Sequence, residues 1–364
     1  MLKKRLQIMT EKKNKLTVVS LFAGAGGLDI AACSTGEVDR LFSTDSNPVF
    51  LQTLIDNMPI HFPTINHKYL VTDVRKLTGN MIQEALGTDE IDIVMGGPPC
   101  DDFTTFGRKK GTGGTKAPLI MDFARLIHEL KPTSFLFENV PNLSRQFQPF
   151  FKEFLLSIMS NYGEIKWRIL HAQDYGSPTL RKRLFAVGFK DRRQYDAFEF
   201  PSPIFKDSQT SSSLFECGLA QKPFVTISNV LDDLPDVNNP QAEKYMNHTG
   251  RPHKPKTVEQ LRSIPQGGWT KKSYRYRAPW DGLCWSLTAG VDHSTKSYIH
   301  PIYHREMSVR EYSRIHGFPD SWYFCGNHHN GIKQVANSVP VPLGLAVINS
   351  IFNVFGEGYN EQIY

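Results

Sequence analysis

Ile91-Asp92-Ile93-Val94-Met95-Gly96-Gly97-Pro98-Pro99-Cys100 is the stretch that decides the fold. A short, β-type apolar run ends in two glycines and two prolines, and a single thiol follows. Such a run reads as a strand buried on both faces, as in a parallel sheet. The prolines fix φ and remove two backbone donors, so the chain leaves the strand stiffly and Cys100 has few positions open to it. The glycines let another molecule approach the backbone. Read alone, the segment is a nucleophile at a strand end or an inert cysteine after an ordinary turn.

Working outward, strand-like and helical stretches alternate. Leu16 to Phe22 reads as a strand, Gly27 to Cys33 as a helix, Leu41 to Thr44 as a strand and Pro48 to Asn57 as a helix. A short strand near Tyr69 to Val71, a helix over Leu119 to Leu130 and a strand over Ser134 to Phe137 continue the rhythm, which persists to about Phe189. This predicts an α/β fold with a doubly wound, mostly parallel sheet, whose ligands bind at the C-terminal strand ends. After Pro201, Pro, Ser, Asn and Lys dominate and the alternation is lost, which predicts a smaller, loop-rich unit. Helical patterns return at Ser308 to His316 and Val341 to Phe352.

Composition narrows the class. The chain has 364 residues, 40% hydrophobic and 21% charged, which suits a globular protein with a large core. No apolar run approaches the roughly 18 residues of a membrane helix, and the opening residues show no export signal, so no membrane association and a cytoplasmic location are expected. The five cysteines lie far apart with no C-x-x-C spacing, which argues against a disulfide framework and against a zinc site; no metal is expected. The formal charge of +6 is concentrated in residues 1–15, where Lys3, Lys4, Arg5, Lys12, Lys13 and Lys15 face Glu11 alone. That segment reads as a basic flexible tail. Two further clusters mix features that phosphate and base contacts need: Arg181-Lys182-Arg183, and Lys271-Lys272-Ser273-Tyr274-Arg275-Tyr276-Arg277. Each could equally be a solvated strand face.

Four groups fall at predicted strand ends. Phe22-Ala23-Gly24-Ala25-Gly26-Gly27 permits a tight strand-to-helix turn that a nucleotide-like ligand can approach, though its spacing is not G-x-G-x-x-G. Asp45 ends the next strand, where an acid can bind ribose hydroxyls, as it would equally in an NAD enzyme. Asp73 follows Val71-Thr72 and suits an adenine amino group or a solvated loop. Glu138 closes an apolar strand, where partial burial would raise its pKa and let it donate a proton or hydrogen bond; a turn or cap role is the alternative. Cys100 and Glu138 end strands of one sheet edge.

These residues resemble, in order along nearly the whole chain, the cytosine-C5 DNA methyltransferase family of the bacterial restriction-modification type. Leu21-Phe22-Ala23-Gly24-Ala25-Gly26-Gly27-Leu28 resembles its cofactor loop, Gly97-Pro98-Pro99-Cys100 its nucleophile motif and Glu138-Asn139-Val140 its acid motif. Asp174 to Arg183 resembles the Q-x-R-x-R segment, Val309 to Asp320 the segment after the recognition domain, and Gln334 to Pro340 the closing Q-x-G-N-x-V-P. The resemblance implies a mixed, mostly parallel sheet of the S-adenosylmethionine-dependent methyltransferase type. It divides the chain into a tail (1–15), a catalytic and cofactor-binding domain (16–200 and 325–364), and a target-recognition domain with hinge (201–324).

The implied roles follow. Cys100 is the nucleophile, Glu138 and Arg183 meet the cytosine ring at N3 and O2, and Arg181 steadies the loop and a phosphate. S-adenosylmethionine falls to Phe22, Ala23, Gly24, Gly27, Asp45, Ser46, Asp73, Val74 and Pro98, with Asn337, Ser338 and Val339 as a wall. Double-stranded DNA falls to Arg108 and Lys109 of a closing loop, to Arg275 and Arg277 as guanine readers, and to Ser286 and Leu287 beside the flipped base. A monomer on nucleoid DNA, paired with a cognate restriction endonuclease, is the implied setting. Departures are Asp101-Asp102 after the cysteine, Thr179 in place of Gln, and Ala336 in place of Gly. A tRNA-modifying relative is disfavoured by the long variable segment, and a catalytically silent DNA-binding protein by intact Cys100, Glu138 and Arg183.

Overall fold

The structure is a computed structural model and describes residues 15–99, 117–207, 222–270, 275–288 and 297–356. Its centre is a seven-stranded sheet in the order β3-β2-β1-β4-β5-β8-β6. The strands are β1 (Leu16–Leu21), β2 (Val38–Asp45), β3 (Asn66–Val71), β4 (Ile93–Gly96), β5 (Ser134–Asn139), β6 (Lys166–His171) and β8 (Lys182–Phe189), with the short β7 (Thr179–Leu180) between the last two. All pair in parallel except β8, which runs antiparallel to both β5 and β6. The expected doubly wound, mostly parallel sheet is thus present, with one reversed strand.

Helices cover both faces. One face packs under α1 (Gly27–Ser34), α2 (Pro48–His61) and the C-terminal α12 (Val341–Gly356); the other under α3 (Gly79–Leu86), α4 (Pro118–Leu130) and, past the one-turn α5 (Asn142–Arg145), α6 (Gln148–Tyr162). Sandwiching explains the texture of β1, where all six residues are buried: Val18 feeds one core and Val19 and Leu21 the other. The last two helices, α11 (His328–Asn337) and α12, are together long and apolar enough to cross a membrane by length and composition. Ser338 to Pro340 interrupts them, however, and α12 buries Leu343, Val347 and Ile351 in the core shared with α1.

The second half is built of short pieces. The helix α7 (Arg192–Ala197) follows β8, and β9 (Phe205–Lys206) pairs in parallel with β10 (Lys222–Pro223). After α8 (Ile227–Leu231) and α9 (Pro255–Arg262) comes a three-stranded sheet, β11 (Trp269–Thr270), β12 (Arg275–Arg277) and β14 (Ser297–Ile299). The remaining strand, β13 (Cys284–Trp285), pairs not with these but with β7 of the first half. Tyr276, Cys284, Leu287 and Tyr298, with Tyr312 of α10 (Val309–Ile315), enter the same core as β1 and α12.

Candidate active site

The sheet order reverses between β1 and β4, and the loops leaving these two strands form the floor of the site. After β1 the chain passes through Phe22, Gly24 and Gly26, all with positive φ (57°, 58° and 89°). At Gly26 the positive φ favours glycine, and a Cβ there would also crowd the Leu54 methyl. Phe22 holds a left-handed conformation that costs an L residue energy, the kind of strain found where a loop is shaped for a ligand.

A cleft of about 150 Å³ opens at these ends, lined by Phe22, Asp45, Ser46, Thr72, Asp73 and Val74, and on its far side by Pro99 and Leu119. Asp45 accepts the Gly24 N–H at 3.0 Å and the Asn47 N–H at 2.8 Å, so the acid that closes β2 also braces the glycine loop. Asp73 caps the turn after β3 and pairs with Arg75, whose hydrogen bonds pull its pKa down to about 2. A larger hollow, about 310 Å³, lies away from these loops, between Ser34 at the end of α1, His61 at the end of α2, and Trp322.

Beside the cleft stands the acid of β5. Glu138 is buried, and its Oε1 lies 2.7 Å from Arg183 Nε. Burial pushes its carboxyl pKa up, while the nearby Arg183 and Arg181 pull it back. A Cβ on Gly97 would sit 2.4 Å from Glu138 Oε2, so the second glycine of the decisive stretch exists to let this side chain in. Asn139 Nδ2 donates to the Pro98 carbonyl at 3.1 Å and ties the Pro-Pro turn to β5. The turn that leads into Cys100 is therefore fastened next to the Glu138–Arg183 pair. Cys100 itself, like Arg108, Lys109, Lys271 and Lys272, lies outside the described residues.

Several expected roles change. Arg181 is buried, and its guanidinium donates to the carbonyls of Leu287 (2.9 Å), Ala336 (2.6 Å) and Ser338 (3.0 Å), so it is a positioning residue with no access to a phosphate. Leu287 is buried, with its carbonyl taken by Arg181. Gly27 is glycine because a Cβ would lie 2.5 Å from the Val339 carbonyl; it seats the returning chain rather than opening to the cleft. Asn337, Ser338 and Val339 pack against or near this junction and do not line the described cleft, and Ala23, Gly24 and Pro98 adjoin it without lining it. Arg277 is buried, donating to the carbonyls of Leu261 (2.6 Å), Ile264 (2.7 Å) and His300 (2.7 Å), which removes it from base reading. Arg275 shares its face of β12 and is half-buried, and Ser286 offers its carbonyl to Tyr298 Oη at 2.6 Å.

One buried cluster has no counterpart in the sequence reading. Asp29, in the first turn of α1, accepts from Ser20 Oγ at 3.0 Å and Ser43 Oγ at 2.6 Å, and burial raises its pKa to about 6. Ser43 also meets His67 Nε2 at 2.7 Å. An acid after a glycine loop looks like an ordinary helix-start residue, and only the neighbouring strands reveal that it is sealed in.

The architecture is that of methyltransferases with known structures. A protein described as a DNA modification methyltransferase encoded within an E. coli prophage superposes with a TM-score of 0.73 at 24% identity, covering 94% of this chain and 100% of that one. Spodoptera frugiperda DNMT2 superposes with a TM-score of 0.58 at 15% identity over 93% of this chain and all of that one. At the sequence level, the model of the C-5 cytosine-specific DNA methylase family matches residues 16–353. The chain belongs to that family, a class of S-adenosylmethionine-dependent DNA methyltransferases. Among its relatives are Type II methyltransferase M.SacI of Streptomyces achromogenes, 28% identical over 94% of both chains, and M.Sau96I of Staphylococcus aureus, 26% identical over 97% of this chain and 79% of that one.

Proposed function

We propose that the chain methylates C5 of a cytosine extruded from a specific duplex DNA site, and that a restriction endonuclease of the same specificity accompanies it in a bacterial cytoplasm. The observation that carries this reading is the buried Glu138–Arg183 pair beside the turn that runs into Cys100. C5 of cytosine is a poor nucleophile. Addition of the Cys100 thiolate to C6 breaks the C5=C6 double bond and leaves its electron pair at C5. Charge that builds on the ring is met by Glu138, protonated and donating at N3, and by Arg183 at O2. Burial keeps Glu138 protonated to higher pH than an exposed glutamate, which suits a donor. Once C5 has used that pair to take up a methyl group, a base removes the C5 proton. The C5–H electron pair re-forms the C5=C6 double bond, and the C6–S bond breaks to release the Cys100 thiolate.

The cleft residues fit S-adenosylmethionine: the strained Phe22 loop offers an aromatic wall, Asp45 lines it as a carboxylate suited to ribose hydroxyls, and Asp73 and Val74 line the same cleft and suit a purine. When bound, it supplies the electrophilic methyl group. Because C6 is unreachable within a stacked duplex, the base must be flipped out, at a cost of roughly a few kcal/mol. Bisulfite sequencing of DNA from a host that expresses the chain tests the reading: protected cytosines within one recurring motif are expected. Cys100→Ser should abolish protection and keep cofactor and DNA binding. Protection by the serine variant would refute the covalent route.

A further inference from the structure

The Arg275-Tyr276-Arg277 strand alternates, so its two arginines share one face and Tyr276 takes the other. Arg277 is locked into backbone carbonyls, and the arginine face therefore points into the protein. The opposite face carries a run of rings. Tyr312 packs edge-on against Tyr298 (5.8 Å between centroids), and Tyr298 edge-on against Tyr276 (5.9 Å). Tyr276 stacks flat on Trp285, with centroids 4.1 Å apart and planes 9° from parallel, and Trp285 tilts against Trp269 at 6.4 Å.

The run travels from the core to the surface. Tyr276 and Tyr298 are at most 2% exposed, whereas Trp269 at the outer end is 45% exposed. The backbone beneath is fixed: Trp269 and Tyr276 are cross-strand partners, and the Arg277 carbonyl accepts the Gly267 N–H at 2.9 Å. A tryptophan half in water on so rigid a support is not needed to fill the core.

Its position is informative. Trp285 pairs with Leu180 of β7, itself 42% exposed, and Leu180 stands three residues before Arg183, the partner of Glu138. Lys182 is exposed between them. The outer ring thus sits on the part of the second half that is fastened to the strand leading into the Glu138–Arg183 pair, with an exposed lysine along that path, which favours a flat aromatic ligand attached to phosphate.

Resting on the cytosine-methylation reading, we propose that Trp269 is a stacking platform for a nucleobase of the DNA substrate, one that loses a stacking neighbour when the target cytosine leaves the helix. The contact is with a base face rather than its edge, so it supports extrusion and affinity without reading sequence.

The test uses the full chain with S-adenosylhomocysteine and two duplexes that contain the motif found by bisulfite sequencing. One duplex carries the target cytosine, the other an abasic sugar in its place, and each has 2-aminopurine next to that position. Trp269→Ala should weaken binding to both by about 5- to 150-fold, the range expected for one base–aromatic stack. It should also leave 2-aminopurine unquenched, with the methylated motif and cofactor affinity unchanged. Trp269→Phe should restore most of the affinity and the quenching, which separates stacking from a fold defect. Wild-type affinity and quenching in Trp269→Ala would overturn the proposal, as would equal losses in the alanine and phenylalanine variants. Absence of cytosine protection by the wild-type chain would instead overturn the methylation reading.

Discussion

Glu138 is a carboxyl group balanced between two opposing influences. Burial raises its pKa, and Arg183 at 2.7 Å, with Arg181 behind, lowers it. Removing Arg183 removes part of the lowering, so the acid must hold its proton to still higher pH. Arg183→Gln should therefore lower kcat by about 100-fold or more through loss of the O2 contact. The alkaline limb of its kcat profile should move to higher pH, because the donor form of Glu138 survives further. A limb displaced to lower pH would contradict the assignment. Asp45 offers a second single-residue test. Asp45→Ala removes a ribose acceptor and also frees the Gly24 N–H, so S-adenosylmethionine affinity measured by calorimetry should fall by about tenfold or more, with DNA affinity little changed.

Elements that declare themselves locally were legible in the sequence. The strand Leu16–Leu21, the glycine loop and the Glu138 strand each carry their pattern within a few residues, and the structure places them as that pattern requires. Arg277 was not legible, because cation, aromatic, cation in a row is the same text for a DNA-reading strand and for one that turns its arginines inward. What decides is the ring of carbonyls from Leu261, Ile264 and His300, which lie up to 23 residues away and have no sequence signature. Gly27 misled for the same reason: its neighbour is Val339, at the other end of the chain. Arg277→Met should leave these buried carbonyls without donors and lower unfolding free energy by about 3–5 kcal/mol. A denaturant midpoint would record the loss. The folded fraction should still methylate the wild-type motif, since this arginine holds a strand and does not touch a base.

At the scale of the whole molecule, Arg181 joins three parts of the chain: the β7–β8 junction, Leu287 just past β13 in the short-stranded second half, and Ala336 and Ser338 on the returning chain. The pairing of β13 with β7 runs alongside, and Thr179 Oγ1 reaches the Trp285 carbonyl at 3.4 Å, so threonine serves as a brace where glutamine was expected. That knot sets a rule for transplanting specificity between relatives. A foreign reading segment can be spliced in only if the seam falls before Cys284, leaving the host its own Cys284–Thr288 ribbon. Chimeras cut there should fold and acquire the donor's methylation motif, whereas grafts that import the ribbon as well must carry a matching partner for β7 or yield insoluble protein. Modularity in this scaffold ends at the guanidinium of one arginine.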